Sequence, residues 1–144
     1  MFLGEYHRTI DNKGRVFIPA KFREDLIKGI VISKGFDEKC LFLFSKENWK
    51  KLEEKIMANK IAERSIQRFS RWFFSSASEE TIDQQGRTRI PQNLIEYAEL
   101  KKDIVMVGVS ERAEIWAKEI WEKYYKQADA QFMGDKNAFE RLGF

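Results

Sequence analysis

Cysteine and histidine are almost absent from this chain. Cys40 is the one cysteine and His7 the one histidine in 144 residues. A single thiol makes no internal disulfide, and its place in the apolar run CLFLF is that of a small buried hydrophobe. The lone imidazole and the strand-borne thiol suggest neither a zinc cluster nor a Cys–His nucleophile. No stretch matches GxxxxGK[ST] or GxGxxG, so the usual phosphate-cradling loops are excluded. No apolar run approaches the roughly 20 residues of a membrane-spanning helix. The start, MFLGEYHR, lacks the apolar segment of a signal peptide. The expectation is a cytoplasmic chain with no cofactor, no metal and no membrane contact. Net charge is only +3, so the global balance implies no partner.

Proline is scarce too. Pro19 and Pro91 are the only two, and each closes the same phrase. TIDNKGRVFIP fills 9–19 and TIDQQGRTRIP fills 81–91, with Thr, Ile, Asp, Gly, Arg, Ile and Pro recurring at a spacing of 72. The spacing persists beyond the phrase, since Lys46, Glu47 and Trp49 return as Lys118, Glu119 and Trp121. This pattern is a tandem duplication. It divides the chain into a first repeat over 5–47, connecting helices over 48–75, a second repeat over 76–119, and a C-terminal helix and tail over 120–144.

Each repeat has the same predicted order. A short strand leads into the turn, and a second short strand follows it. A helix then begins at the proline, where its fixed φ suits a first turn. Phe22 and Leu26, and Leu94 and Ala98, are spaced to face a core. Two β-rich runs follow, IVISKGF and CLFLF in the first repeat, IVMVGVS and EIW in the second. A helical pattern closes each repeat, with Trp49, Leu52 and Ile56 on one face and Ile120, Tyr124 and Ala128 on the other copy's face. A further helix over about 60–74 has Ile61, Ser65, Phe69 and Phe73 as its inner side. A unit of this size buries little core alone. Two units that share their strands close their open edges. The expected fold is therefore α+β, a small β-barrel built from both repeats.

The repeated turn has its own chemistry. Asp11 and Asp83 can accept bonds from backbone N–H groups further along the loop. Gly14 and Gly86 can take positive φ. The turn does not by itself need an arginine, yet Arg15 and Arg87 hold the same place in both copies. Guanidinium grips phosphate or a guanine edge bidentately. Arg8, Lys13, Lys21 and Arg23 surround the first motif, and Arg89 lies in the second. Residues 1–44 carry eight basic and six acidic side chains, 45–76 eight and four, and 77–116 five and eight. The first repeat and central helices thus form the basic side. The second repeat, with Glu79 and Glu80 beside its turn, binds more weakly or mainly builds the barrel. Lys60, Arg64, Arg68 and Arg71 form a basic stripe that reads as a solvated face, a subunit interface or a phosphate track.

The two phrases resemble the paired DxxxR motifs of the MraZ family. Each repeat is similar to a SpoVT-AbrB domain, and the likeness extends through the opening FLGEYHRTID and the central SIQRFSRWFFSSA. The resemblance implies a swapped-hairpin β-barrel from two tandem SpoVT-AbrB-like repeats with packed flanking helices. It also implies a bacterial transcription regulator that binds double-stranded DNA at short direct repeats, upstream of the division and cell-wall gene cluster. Such proteins assemble into homo-oligomeric rings and associate with the nucleoid. By match to the motif, Asp11, Gly14, Asp83 and Gly86 form the loops. Arg15 and Arg87 are the candidate DNA contacts, with Lys13, Arg8, Lys21 and Arg89 as supporting cations.

Other classes fit less well. Asp11 and Asp83 are paired by the repeat, but nothing near them suggests a shared proton, so an enzyme is not expected. An assembly protein without specific DNA binding is the main alternative. Four Trp and 12 Phe are many aromatics for this length, and the terminal Phe144 has no evident niche in its own chain. A toxin-binding antitoxin is disfavoured, because such chains usually carry one barrel half and a disordered tail.

Overall fold

The computed structural model describes residues 1–59 and 64–144. In order, the elements are β1 (Glu5–Thr9), β2 (Arg15–Phe17), α1 (Ala20–Leu26), β3 (Ile30–Lys34), β4 (Leu41–Ser45), α2 (Lys46–Ala58), α3 (Arg64–Ser76), β5 (Ser78–Glu80), β6 (Arg87–Arg89), α4 (Gln92–Tyr97), β7 (Asp103–Val109), β8 (Arg112–Ala117), α5 (Lys118–Gly134) and α6 (Ala138–Arg141). Pro19 and Pro91 stand immediately before α1 and α4. Ser45 caps α2 by accepting a bond from the Asn48 N–H at 3.1 Å.

Six strands form one sheet in the order β1-β7-β8-β4-β3-β5, and β2 and β6 form a separate ribbon. Every pairing is antiparallel. The order reads the same when the halves are exchanged. The first strand of each half is donated to the third strand of the other: β1 lies on β7, and β5 on β3. This is the expected hairpin swap. The approximate twofold axis passes through Phe42 and Glu114 in the sheet and through Val16 and Thr88 in the ribbon.

The spacing of 72 does not hold throughout. Ile30, Val31 and Ile32 of β3 answer structurally to Ile104, Val105 and Met106 of β7, two residues further along. The second half carries its extra residues between α4 and β7. The first half has the longer β3–β4 loop, so β4 and β8 return to register.

The four central strands, β3, β4, β7 and β8, are buried on both faces over most of their length, which is why they read as near-continuous apolar runs. On the inner face, Ile30, Ile32, Leu41, Leu43, Ile104, Met106 and Ile115 join Val16, Ile18 and Ile90 of the ribbon segments. Phe22 and Leu26 of α1 and Leu94 beside Ala98 of α4 complete this core. The ribbon thus lies over the sheet and encloses one barrel-like interior. On the outer face, Phe42, Phe44, Val105, Trp116 and Trp121 form a second cluster, covered by Trp49 and Leu52 of α2. Phe73 of α3 stacks on Trp49 at 5.4 Å and on Phe69 at 5.3 Å. Ser65, expected beside Phe69 on the inner side, is exposed, and Ile61 lies outside the described residues. Glu114 is a buried carboxylate with partners: Arg112 donates to it at 2.9 and 3.1 Å, and the Trp116 indole at 3.0 Å.

Candidate nucleic-acid interface

Both repeated phrases build the same loop. Asp11 Oδ1 accepts from the Lys13 N–H at 2.9 Å and the Arg15 N–H at 2.8 Å. Its other oxygen accepts from Arg15 Nε at 2.7 Å. In the second loop, Asp83 Oδ1 accepts from the Gln85 and Arg87 N–H groups, each at 2.9 Å, and Oδ2 from Arg87 Nε at 2.9 Å. The arginine therefore has a structural part that the turn chemistry did not foretell. Its Nε edge closes the loop, while the far end of the guanidinium has no hydrogen-bond partner among the described residues. The loop N–H donors and the guanidinium hold both carboxyls below the usual aspartate value of 3.8, the Arg15 and Arg87 backbone N–H bonds being the largest cause.

The glycines are required by the same geometry. Gly14 has φ of 79° and Gly86 has φ of 85°. A Cβ on Gly14 would lie 2.8 Å from the Ile90 carbonyl oxygen. That carbonyl sits close because Ile90 N–H donates to Gly14 O at 2.7 Å; Ile18 N–H does the same to Gly86 O at 2.9 Å. Each loop is thereby stitched to the other half's strand.

The ribbon register brings the arginines together. Arg15 is opposite Arg89, and Arg87 is opposite Phe17, with Val16 and Thr88 between them turned inward. Alternation puts Arg15, Phe17, Arg87 and Arg89 on the outer face. The Arg87 guanidinium lies 5.9 Å from the centre of the Phe17 ring. Lys13 projects from the first loop into a cleft of about 640 Å³ that it shares with Arg89, Lys101 and Lys102. Lys101 and Lys102 were not singled out from the sequence. They lie in the segment of the second half that breaks the repeat spacing, so no matching position pointed to them.

The remaining predicted cations are less closely gathered. Arg8 is half-buried on β1, donates to the His7 carbonyl at 2.9 Å, and lies 5.6 Å over the Tyr6 ring. It shares a shallow depression with Phe17. Lys21 is exposed at the start of α1, and its side chain has no described partner in the loops. Of the basic stripe, Arg64, Arg68 and Arg71 are exposed on α3, whereas Lys60 lies outside the described residues. Among the described residues, no group of three or more His, Cys, Asp or Glu side chains is arranged to hold a metal ion. No described helix is long and apolar enough to cross a membrane.

A family model described as "MraZ protein, putative antitoxin-like" matches the chain twice, over residues 1–69 and 73–142. The chain belongs to the MraZ family. Among its MraZ relatives, a protein named "Transcriptional regulator MraZ" from Caldanaerobacter subterraneus subsp. tengcongensis is 47% identical over 132 residues, covering 92% of each chain. Proteins of the same name from Thermoanaerobacter sp. (strain X514) and Thermoanaerobacter pseudethanolicus are 48% and 47% identical, again over 92% of each chain. The two matches to the MraZ model span the two structural halves, each with one DxxxR loop.

Proposed function

We propose that this chain is a DNA-binding transcriptional regulator that reads double-stranded DNA with the β2–β6 ribbon and its two DxxxR loops. The observation that carries the reading is the ribbon itself: two antiparallel strands with Arg15, Arg87 and Arg89 on one outer face. A two-stranded ribbon fits the major groove of duplex DNA, and arginines on it reach base edges and phosphates. The names of the relatives support the same class. Arg15 and Arg87 make the principal contacts through their outer guanidinium edges. Lys13 and Arg89 hold the phosphate backbone near the first loop, with Arg8 and Lys21 further out.

The finer parts of the reading go with it. The site is a set of short direct repeats upstream of division and cell-wall genes, and the protein acts in the cytoplasm on nucleoid DNA. One ribbon offers few phosphate contacts, so single sites bind weakly and lose affinity with salt. A homo-oligomeric ring raises effective concentration by presenting several ribbons to repeated words. Exposed Phe132, Met133, Phe139 and Phe144 at the C-terminal end supply apolar surface for such assembly. The repeats over 5–47 and 76–119 are the DNA-facing units, and 48–75 and 120–144 serve packing and assembly. No catalytic step is assigned.

The test is fluorescence anisotropy of duplexes carrying the chain's own upstream region, against scrambled duplex, at several salt concentrations. Arg89→Ala removes an outer-face cation outside the loop clamps, and the Arg15→Ala, Arg87→Ala double variant removes both motif arginines. Selective binding by wild type that falls in both variants, at unchanged oligomeric state, is expected. Equal binding by all three, or no selectivity in any, would move the function to assembly alone.

A further inference from the structure

The two loops have the same backbone and different chemistry. Lys13 and Gln85 occupy equivalent places, each N–H bonded to its aspartate at 2.9 Å. Asn12 and Lys13 form the first tip, Gln84 and Gln85 the second, and all four are exposed. The ribbon continues the difference. Arg89 and Phe17 are equivalents across the twofold axis, so a cation stands at the first end where a ring, 48% exposed, stands at the second.

What lies near each tip differs as well. The first tip opens on the cleft that also holds Arg89, Lys101 and Lys102. At the second loop the cation beside Arg87 is Arg23, exposed on α1 and packed against Gly86. Arg23 donates through Nε to the Ile18 carbonyl at 3.0 Å, and its guanidinium is packed so close that a Cβ on Gly86 would come within 2.6 Å of it. Ile95 fills the equivalent place under Gly14. Arg8 and Lys118 approach the Phe17 side of this end, but they share that depression with Asp103.

Resting on the DNA-binding reading above, we infer that the ribbon engages duplex DNA in one fixed polarity. The Lys13 tip is the phosphate anchor, and the Gln84–Gln85 tip with Phe17 is the base reader. Lysine is a point charge suited to phosphate, and a phosphate contact carries no base information. A glutamine amide donates and accepts together and so pairs with the adenine edge, and an exposed ring packs on a thymine methyl. The word read is therefore asymmetric, although the backbone that presents it is close to twofold.

The experiment uses the full chain and a duplex selected from a random library by the wild type. The Lys13→Gln, Lys101→Gln, Lys102→Gln variant removes the cleft lysines; the Gln84→Ala, Gln85→Ala variant removes the amides. All these positions are exposed, and thermal melting checks that each variant folds. The lysine variant is expected to flatten the slope of log affinity against log salt by up to about 3, with the order of base preferences kept. The glutamine variant is expected to keep the slope and lose roughly ten- to hundredfold discrimination at one end of the site. A cleavage reagent tethered at Lys13→Cys should cut one end of the site, and at Gln85→Cys the other; buried Cys40 stays unlabelled. Cutting at both ends from both positions, or equal changes in slope and preference from both variants, overturns the polarity alone. A wild type that selects no preferred duplex overturns both this inference and the DNA-binding reading beneath it.

Discussion

Removing a negative charge from a DNA-binding surface ordinarily tightens binding. Asp11→Ala is expected to do the opposite. The Asp11 carboxylate fixes the loop through two backbone N–H groups and fixes Arg15 through Nε, at 2.7 to 2.9 Å. Without it, Arg15 regains its rotamer freedom and must lose it again on binding. Immobilising one such side chain at an interface lowers affinity by a factor of about two to twelve. The opposing gain is one carboxylate fewer near the phosphates, a term that salt suppresses. The loss should therefore be plain at high salt and partly masked at low salt. Anisotropy titrations of wild type, Asp11→Ala and Arg15→Ala across a salt series separate the terms. A double-variant cycle adds the coupling, which should be large because the two residues act as one unit. Tighter or unchanged binding by Asp11→Ala at high salt, with the fold intact, would refute the idea that the aspartate works by holding the arginine.

Three further outcomes are expected. Thr88 is 2% exposed and its hydroxyl has no hydrogen-bond partner among the described residues, while Val16 sits opposite in the equivalent place; Thr88→Val should stabilise the chain by about 1 kcal/mol and raise Tm by about 3 °C at fixed concentration, and a fall in Tm would count against it. Burial, and secondarily the Glu114 charge, pushes the Cys40 thiol up to about 12, so it should resist a thiol reagent at pH 8 until the chain unfolds, and rapid native labelling would contradict that. Asp11 and Asp83 have folded values below 3.8, so their stabilising effect is complete above that value and is lost as pH falls through the lower folded one; NMR should show the Arg15 and Arg87 Nε protons persisting through 3.8 and vanishing only as pH falls through the lower folded values, and carboxyl midpoints at or above 3.8 would refute the clamp.

Much of this arrangement was legible in the sequence because the chain states it twice. The repeated phrase located the loops, the prolines located α1 and α4, and apolar runs located the strands. The open edges a single repeat would leave called for one shared sheet system, and the exchange of strands between halves was what the family resemblance implied. Other features were hidden for physical reasons. Periodicity reports which face a residue occupies, not its partner, so the two-residue offset of β3 and β7 was fixed only by their pairings with β5 and β1. Lys101 and Lys102 fall in that offset segment and had no counterpart to draw attention to them. The arginine clamp joins residues four apart across a loop, where neither helix nor strand spacing predicts a contact. Arg15 therefore looked like a purely outward residue, although one edge of it belongs to the loop.

The exchange of first strands also sets an order of assembly during synthesis. The β1 strand emerges first, yet its partner β7 lies in the last third of the chain. The β3 strand must likewise wait for β5. When the ribosome has made only the first half, β3–β4 can pair, but β1 and β2 have nothing to lie on. Closure waits for distant segments, the condition under which folding is slow and strand edges stay open to other chains. Two nascent chains on one message each display the edge the other lacks. The same pairing that completes one molecule can then join two, with the second half of one chain accepting the first strand of its neighbour.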